Sequence, residues 1–494
     1  MKVLDSQENR ERCMCPHCPS YPKVACNEEV LYCDLGASCR EIDALGCYCQ
    51  ECAVYVEYDL KEIYYCNRVN IEGTGLQMRK QHTNEPDPTY RTIQEIKIIA
   101  ATGTPLTAAM GSQKPIPFSL EDLHFVPAQI QRIPLNHEEP VKTGVILGPG
   151  AKRPLHLPTP ILLSGMSFGA VSASVKQVIT QASTEIGFAF NSGEGGVLEE
   201  ELKVAPSRLI VQYATGRFGV KEEILKRAAA IEIRFGQGAY PGKGSYLPAD
   251  KITPEIAAIR NLKEGEAARS PAHHADMTSV SAIQEKVAWL KSLTGGVPVG
   301  AKIGCGSVEE DIADLFTAGV DFIALDGFGG GTGATDPWVR DHVGIPLVAA
   351  LPRAHRFLLL QGVRDRVSLI AGGGLRTAAD VARCLALGAD AVYLGTAALI
   401  AIQCEQYRIC YTGLCPTGVT TQDPALMGLL DVEAGAKRLA NFIRVATAEV
   451  AEFTRIVGKR DIHDLDRTDL VSMNRDLAEI TGCPWVGMPK MPGN

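Results

Sequence analysis

The sequence predicts an α/β protein built on a (β/α)8 TIM barrel, preceded by a small cysteine-rich metal or iron–sulfur module. Eight short apolar runs, each ending in glycine or polar residues, recur between residues 158 and 397. Helical patterns such as "VEEDIADLFTAG" and "TAADVARCLALG" separate several of them, the rhythm of strands that pair in parallel. Ten of the sixteen cysteines crowd into residues 13 to 66.

At 494 residues and 46% hydrophobic, the chain can bury a large core and form more than one domain. A net charge of -8 offers no basic footprint for nucleic acid. No apolar run approaches the ~18 residues of a membrane span, and "MKVLDSQENRERC" has no signal-peptide core. The expectation is a cytoplasmic protein with neither nucleic acid nor membrane as partner. A reducing cytosol keeps thiols free, so the uneven cysteine placement points to metal sites rather than to disulfides or packing.

Residues 1–70 hold few aliphatic core residues, and a piece this small usually needs metal to fold. It contains a repeat: Cys13-Met-Cys15-x2-Cys18 and Cys47-Tyr-Cys49-x2-Cys52, with Cys26, Cys33, Cys39 and Cys66 between and after. All ten are candidate metal ligands, and C-x-C-x2-C triplets suit iron–sulfur or zinc. Residues 71–140 carry "NEPDPTY", "QKPIPF" and "QRIPLNHEEP" and read as a connector packing on the next domain.

The eight runs follow in order: "PILLSGMSFG" (160–169), "GFAFNSGEGG" (187–196), "LIVQYATG" (209–216) and "IEIRFGQG" (231–238), then "VPVGAKIG" (297–304), "DFIALDGFGGG" (321–331), "RVSLIAGGG" (366–374) and "DAVYLGTA" (390–397). Eight such units suggest a closed barrel over residues 141–430, with an open doubly wound sheet as the alternative. Residues 431–494 read as helices closing its outside.

A barrel carries its site at the strand C-termini. The last two runs end in "AGGGLRT" and "LGTA", where glycine amides can approach a phosphate closely. That pairing points to a phosphate-bearing ligand, and FMN suits the fold. Lys302 ends the fifth run and faces the barrel mouth by alternation. Beside a flavin it would stabilise the anionic reduced form; otherwise it pairs with an acid such as Glu194 or Asp326. After the eighth run comes "CEQYRICYTGLCP" (404–416). Its three cysteines are one short of a closed tetrahedral metal site, and cysteine before proline is familiar from iron–sulfur ligation. Three buried thiols are the plainer alternative.

The segments "SGMSFGA" (164–170), "NSGEGG" (191–196), "SRLIVQYATGRFGV" (207–220), "QGAYPGKGSYLP" (237–248), "GGGTGA" (329–334) and "CEQYRICYTGLCPTGVTTQDP" (404–424) together resemble the FMN-binding synthase domain of archaeal-type glutamate synthase, over roughly residues 140 to 450. The resemblance implies a [3Fe-4S] cluster on Cys404, Cys410 and Cys415. It implies FMN held by Gly165, Met166, Ser167, Gln237, Lys302, Asp326 and Gly327, with its phosphate at Gly373, Gly374, Gly395 and Thr396. Family chemistry reduces an imine formed from 2-oxoglutarate and ammonia, with Glu194, Lys302 and Gln237 the expected catalytic residues. Glu194 would relay a proton or bind the amine, or else be satisfied by backbone amides of its turn.

The expected substrate contacts are Arg234, Gln237, Tyr240, Arg260 and Ser279. Where the family usually reads lysine-x-x-glutamine-x-x-lysine, this chain has Arg234, Gln237 and Tyr240. Guanidinium does not reproduce ammonium geometry, and Tyr240 removes a charge. A monocarboxylate or N-substituted substrate therefore becomes an alternative to 2-oxoglutarate. His273 and His274 read as structural residues of a loop turn rather than proton donors.

The N-terminal module resembles a functionally undefined cysteine-rich domain of anaerobic archaea and bacteria. Iron–sulfur is favoured there because no NAD(P)H or FAD domain is present to admit electrons; zinc is the alternative. Expected partners are a 2-oxo acid or amino acid, an electron donor such as ferredoxin, a glutaminase or other subunit supplying nitrogen, and further copies of the chain as a homo-oligomer. The chain begins "MKVLDS", so no N-terminal-nucleophile glutaminase is expected within it. Two other readings are an N-methylglutamate-synthase-like transferase subunit and an electron-transfer or scaffold subunit of a larger complex. A 2-hydroxy-acid oxidase is disfavoured by the lack of an H-G-G-R-type base motif.

Overall fold

The computed structural model describes residues 3–22, 29–36, 38–39, 42, 46–60, 64–70, 77–79 and 88–488. Two compact units result, Met1–Leu106 and Thr107–Asn494. The boundary falls inside the segment read as a connector.

The first unit is built from short pieces: helices Gln7–Glu11, Tyr32–Leu35 and Ala53–Glu57, an antiparallel pair Arg68–Asn70 with Gln77–Arg79, and helix Pro88–Thr102. Its buried apolar cluster is small, comprising Val3, Leu31 and Val54 with the thiols of Cys13 and Cys52. A core this slight supplies little of the stability a free-standing unit needs.

In the second unit, eight parallel strands close into a barrel in strict chain order. They are β1 Ile161–Leu163, β2 Phe190–Asn191, β3 Leu209–Ala214, β4 Ala230–Arg234, β5 Val299–Gly304, β6 Phe322–Asp326, β7 Ser368–Gly372 and β8 Ala391–Leu394. Seven lie within the apolar runs, and β4 begins one residue ahead of its run at Ala230. All five or six residues of β3, β4, β6 and β7 are buried, as befits strands packed on both faces. The intervening helices end as their sequences dictate. Ser172 caps Ala173–Ile186 by accepting from the Val175 amide, and Gly187 ends it at φ 86°. Thr377 and Asp380 form a reciprocal capping box on Ala378–Ala386.

Register decides what fills the barrel. Lys302 stands opposite Arg234 and Gly300 opposite Glu232 across β4 and β5. With period two, these four share the inward face. A Cβ on Gly300 would lie 2.3 Å from the Phe322 ring, so only glycine leaves that ring its place. The hairpin Val145–Leu147 with Leu155–Leu157 closes the N-terminal end, where the Gly148 amide donates to Ser368 Oγ at 3.1 Å. Helix Val432–Ile456 packs on Ala173–Ile186 outside the barrel. Beyond it, Leu470–Ser472 pairs with Leu123–Phe125, tying the C-terminal segment to residues upstream of the barrel.

Candidate active site

Two adjoining cavities open at the strand C-termini and share Ser164, Gly165, Gln237, Gly331, Gly395 and Thr396 in their walls. The first is lined by Lys302, Asp326, Gly329–331, Gly372–374, Arg376 and Arg408. A Cβ on Gly373, which has φ 111°, would lie 2.6 Å from the Gly327 carbonyl. The loop therefore folds tightly only with glycine there. Lys302 Nζ lies 3.1 Å from Asp326 Oδ2 and donates to Ser164 Oγ at 3.1 Å. Burial alone would lower the Lys302 ammonium, but Asp326 and Glu232 more than offset it and hold the group above its ordinary value. Lys302 thus carries full charge at neutral pH, paired with Asp326.

Below it lies a buried network not anticipated from the sequence. Glu232 is fully buried and accepts from Asn191 and Gln212 at 2.8 Å each and from the Tyr393 hydroxyl at 2.9 Å. A carboxylate in the middle of "AIEIR" was the available signal, because an isolated acid in a fully buried strand must be met by donors.

The second cavity holds the candidate catalytic residue Glu194 and the candidate substrate residues Arg234, Gln237, Tyr240 and Arg260, together with Met166 and Ser167. Arg234 donates to Glu194 Oε2 at 2.7 Å and to the Tyr240 hydroxyl at 2.9 Å. Glu194 also accepts from the Gly216 amide at 3.1 Å and from the hydroxyls of Ser245 and Ser270. Arg260 is 4% exposed and donates from Nη2 to the Phe168 carbonyl at 2.5 Å. Its Nε has no hydrogen-bond partner among the described residues. Burial pulls the Arg260 guanidinium down to about 10, so it stays charged at neutral pH. Arg260 lines this cavity as a buried cation, and such a group suits an anionic ligand.

Three expectations fail on placement. Ser279 is exposed and caps helix Val280–Thr294, its Oγ accepting from the Ala282 amide; it does not line the cavity. Gly327 lies beneath the glycine loop rather than in the cavity wall, since a Cβ there would meet the Leu347 amide nitrogen at 2.4 Å. Cys39 is disulfide-bonded, against the expectation of a free metal-ligating thiol. Cys26 lies outside the described residues. His273 is exposed. His274 Nε2 lies 3.0 Å from the Arg234 carbonyl, and its Nδ1 2.6 Å from Arg217 Nη1. Burial and Arg217 hold the His274 imidazole down to about 4, hence neutral.

Cys404, Cys410 and Cys415 follow helix Thr396–Ile402, and the first two open on the second cavity. The Gln406 amide points at Cys404 Sγ at 3.4 Å, Thr420 neighbours the Cys410 thiol, and Cys415 Sγ lies 3.4 Å from Thr417 Oγ1. Beside them sits Lys251, 1% exposed, donating to the carbonyls of Ala170, Cys410 and Thr420 at 2.9 to 3.1 Å. Two partly buried thiols and one buried one, each beside a neighbouring amide or hydroxyl group, form a donor set suited to an iron–sulfur cluster. Among the described residues, no group of three or more His, Cys, Asp or Glu side chains is arranged to hold a single metal ion. No helix among them is long and apolar enough to cross a membrane.

The fold and the site define a TIM-barrel protein with a ligand cavity at its strand C-termini. The family described as the conserved region in glutamate synthase matches residues 91–460, and a family of unknown function, DUF2769, matches residues 13–67. A glutamate synthase large subunit-like protein of Rhizobium meliloti is 38% identical, over 81% of this chain and 95% of that protein. The archaeal glutamate synthases (NADPH) of Methanocaldococcus jannaschii and Archaeoglobus fulgidus are 42% and 37% identical. Those matches cover 67% and 76% of this chain, and 66% and 78% of the relatives. A mandelate oxidase structure covers 74% of this chain and 91% of its own at 15% identity and a TM-score of 0.46, too slight a likeness to carry an inference. The chain belongs to the glutamate synthase family, oxidoreductases acting on CH–NH2 donors.

Proposed function

We propose that the chain is an FMN- and iron–sulfur-dependent oxidoreductase that reductively aminates a 2-oxo acid, converting 2-oxoglutarate and ammonia to glutamate. The observation that carries this reading is the shared wall of the two cavities. Glycine amides and Lys302 line one side, while buried Arg260 and the thiols of Cys404 and Cys410 line the other.

The residues present fit FMN. Gly373, Gly374, Gly395 and Thr396 would meet its phosphate, with Arg376 and Arg408 at the same wall. Lys302 would place a positive charge at the isoalloxazine end, favouring the anionic reduced form. Bound there, FMN would supply hydride to an imine carbon. Arg260, in the cavity wall, would bind a substrate carboxylate. Glu194 stays ionised against Arg234, so it would orient an ammonium through its negative charge rather than donate a proton. Cys404, Cys410 and Cys415 would hold a [3Fe-4S] cluster that delivers electrons, with ferredoxin the expected donor class and the cysteine-rich unit a further iron–sulfur carrier.

A second reading keeps the site and changes the substrate. Arg234 is engaged by Glu194 and Tyr240, which leaves Arg260, bonded to the Phe168 carbonyl, as the other buried arginine in that cavity wall. This favours a monocarboxylate or N-substituted substrate, and the same site would serve an N-methylglutamate-synthase-like transferase that joins an amine to an amino or oxo acid. The test is amino-acid formation by the anaerobically purified chain, supplied with reduced ferredoxin, ammonium or methylamine, and a panel of 2-oxo acids. Glutamate from 2-oxoglutarate and ammonium supports the first reading; turnover of another oxo acid or of methylamine alone replaces it with the second.

A further inference from the structure

The cysteine-rich unit contains an internal repeat longer than its triplets. Cys13-x-Cys15-x2-Cys18 is followed after 14 residues by Cys33, and Cys47-x-Cys49-x2-Cys52 after 13 by Cys66; both downstream cysteines follow tyrosine. The structure repeats as the sequence does. Each triplet contains a 3-10 turn, Cys15–His17 and Cys49–Glu51, closed by amides of Cys18 and Cys52 donating to Cys15 and Cys49 carbonyls at 3.0 and 3.1 Å. Two residues before each downstream cysteine the backbone turns left-handed, at Leu31 (φ 55°) and Tyr64 (φ 57°). The amides of these residues donate to sulfur, Leu31 to Cys13 Sγ and Tyr64 to Cys47 Sγ, at 3.3 Å each. Non-glycine residues rarely adopt that conformation. Finding it twice, at equivalent positions and aiming an N–H at the equivalent thiol, marks a built site.

The thiols do not group by repeat. Cys13 contacts Cys15 of its own triplet and Cys52 of the other, and the neighbouring thiols of Cys33 are Cys13 and Cys52. Cys47 contacts Cys49 of its own triplet and Cys18 of the other. The Tyr64 side chain is neighboured by Cys47, Cys18, Cys66 and Cys49 together. All eight thiols face one cavity of about 40 Å³, walled otherwise by tyrosines, Met14 and Leu60. Eight thiols lining one cavity are twice the four that close a single zinc site, and they match the four thiolates that each of two iron–sulfur clusters takes.

We propose that this unit binds two four-iron clusters with exchanged ligands: Cys13, Cys15, Cys33 and Cys52 hold one, and Cys47, Cys49, Cys66 and Cys18 the other. The third cysteine of each triplet crosses to its neighbour's cluster, so neither site is complete without both repeats. Ligand exchange between paired clusters is a known way of fixing two carriers side by side. The proposal rests on the iron–sulfur reading of this unit given above, and it adds the number of clusters and the ligands of each.

Pairs of substitutions in the anaerobically purified full chain test it. Cys13→Ser with Cys52→Ser removes two ligands of one cluster, so half of the unit's iron is retained. Cys13→Ser with Cys18→Ser strikes both clusters, so all of it is lost, while the three-iron signal of the oxidised barrel persists. The reverse pattern would overturn the exchange while leaving iron–sulfur intact; zinc in place of iron would overturn the underlying reading. Where a variant fails to fold, the unmodified chain gives the same answer by stepwise chelation and thiol alkylation. Cys13, Cys15, Cys33 and Cys52 should become reactive as one group, and grouping by triplet would contradict the proposal.

Discussion

Arg234 and Glu194 face each other at 2.7 Å with side chains 4% and 5% exposed. Removing one partner of such a pair leaves the other charge buried and uncompensated. Glu194→Gln should therefore destabilise the barrel by about 3–5 kcal/mol, measured by denaturant unfolding. An unchanged midpoint would mean that the pair is solvated.

The same carboxyl fixes a pH dependence. Burial pushes Glu194 up, but Arg234, the Ser245 hydroxyl and the Gly216 amide outweigh it and hold the group below its ordinary value. Its stabilisation is complete above the ordinary carboxylate range, about 4.3, and is lost as pH falls through the lower folded value. Acid unfolding of the native protein should show this loss, and Glu194→Gln should flatten that part of the curve.

Lys302 should set the flavin potential. Lys302→Met should lower it by removing the charge beside the reduced ring, read by spectroelectrochemical titration. An unchanged potential would place the flavin away from the Lys302–Asp326 pair.

Lys251 should act likewise on the three-iron cluster proposed for Cys404, Cys410 and Cys415. Its ammonium is held by three carbonyls, one of them that of Cys410. Lys251→Gln should leave the oxidised EPR signal present and shift its midpoint to lower potential. Cys410→Ser should abolish the signal with FMN still bound, since a three-thiolate cluster has no ligand to spare; loss of flavin as well would make the motif structural.

Arg260→Met should raise KM for the oxo acid far more than it lowers kcat, because it deletes a carboxylate contact worth about 1.5–3 kcal/mol. An effect on kcat alone would make Arg260 a structural partner of the Phe168 carbonyl.

Much of this was legible in the sequence because barrel strands are short, apolar on both faces and punctuated by glycine. All eight runs coincide with a barrel strand to within one residue at its start, and alternation along β5 turns Lys302 toward Asp326. What escaped depends on contacts distant in the chain. Lys251, in "PADKITPE", looks like a surface lysine until segments 81 to 169 residues away bring it three carbonyls. Arg234 looked like a substrate anchor because sequence shows its charge but not the Glu194 carboxylate, 40 residues earlier, that engages it. Ser279 matched a family position, yet a serine opening a helix is as readily a cap, and here its hydroxyl serves that role.

The most direct test of the central claim is single-turnover reoxidation of the anaerobically reduced protein in a stopped-flow spectrometer. The flavin should reoxidise rapidly when a 2-oxo acid and an amine are supplied together, in stoichiometry with the amino acid formed, and slowly with either alone. A flavin indifferent to every such pair, or a protein that binds no FMN, would contradict it.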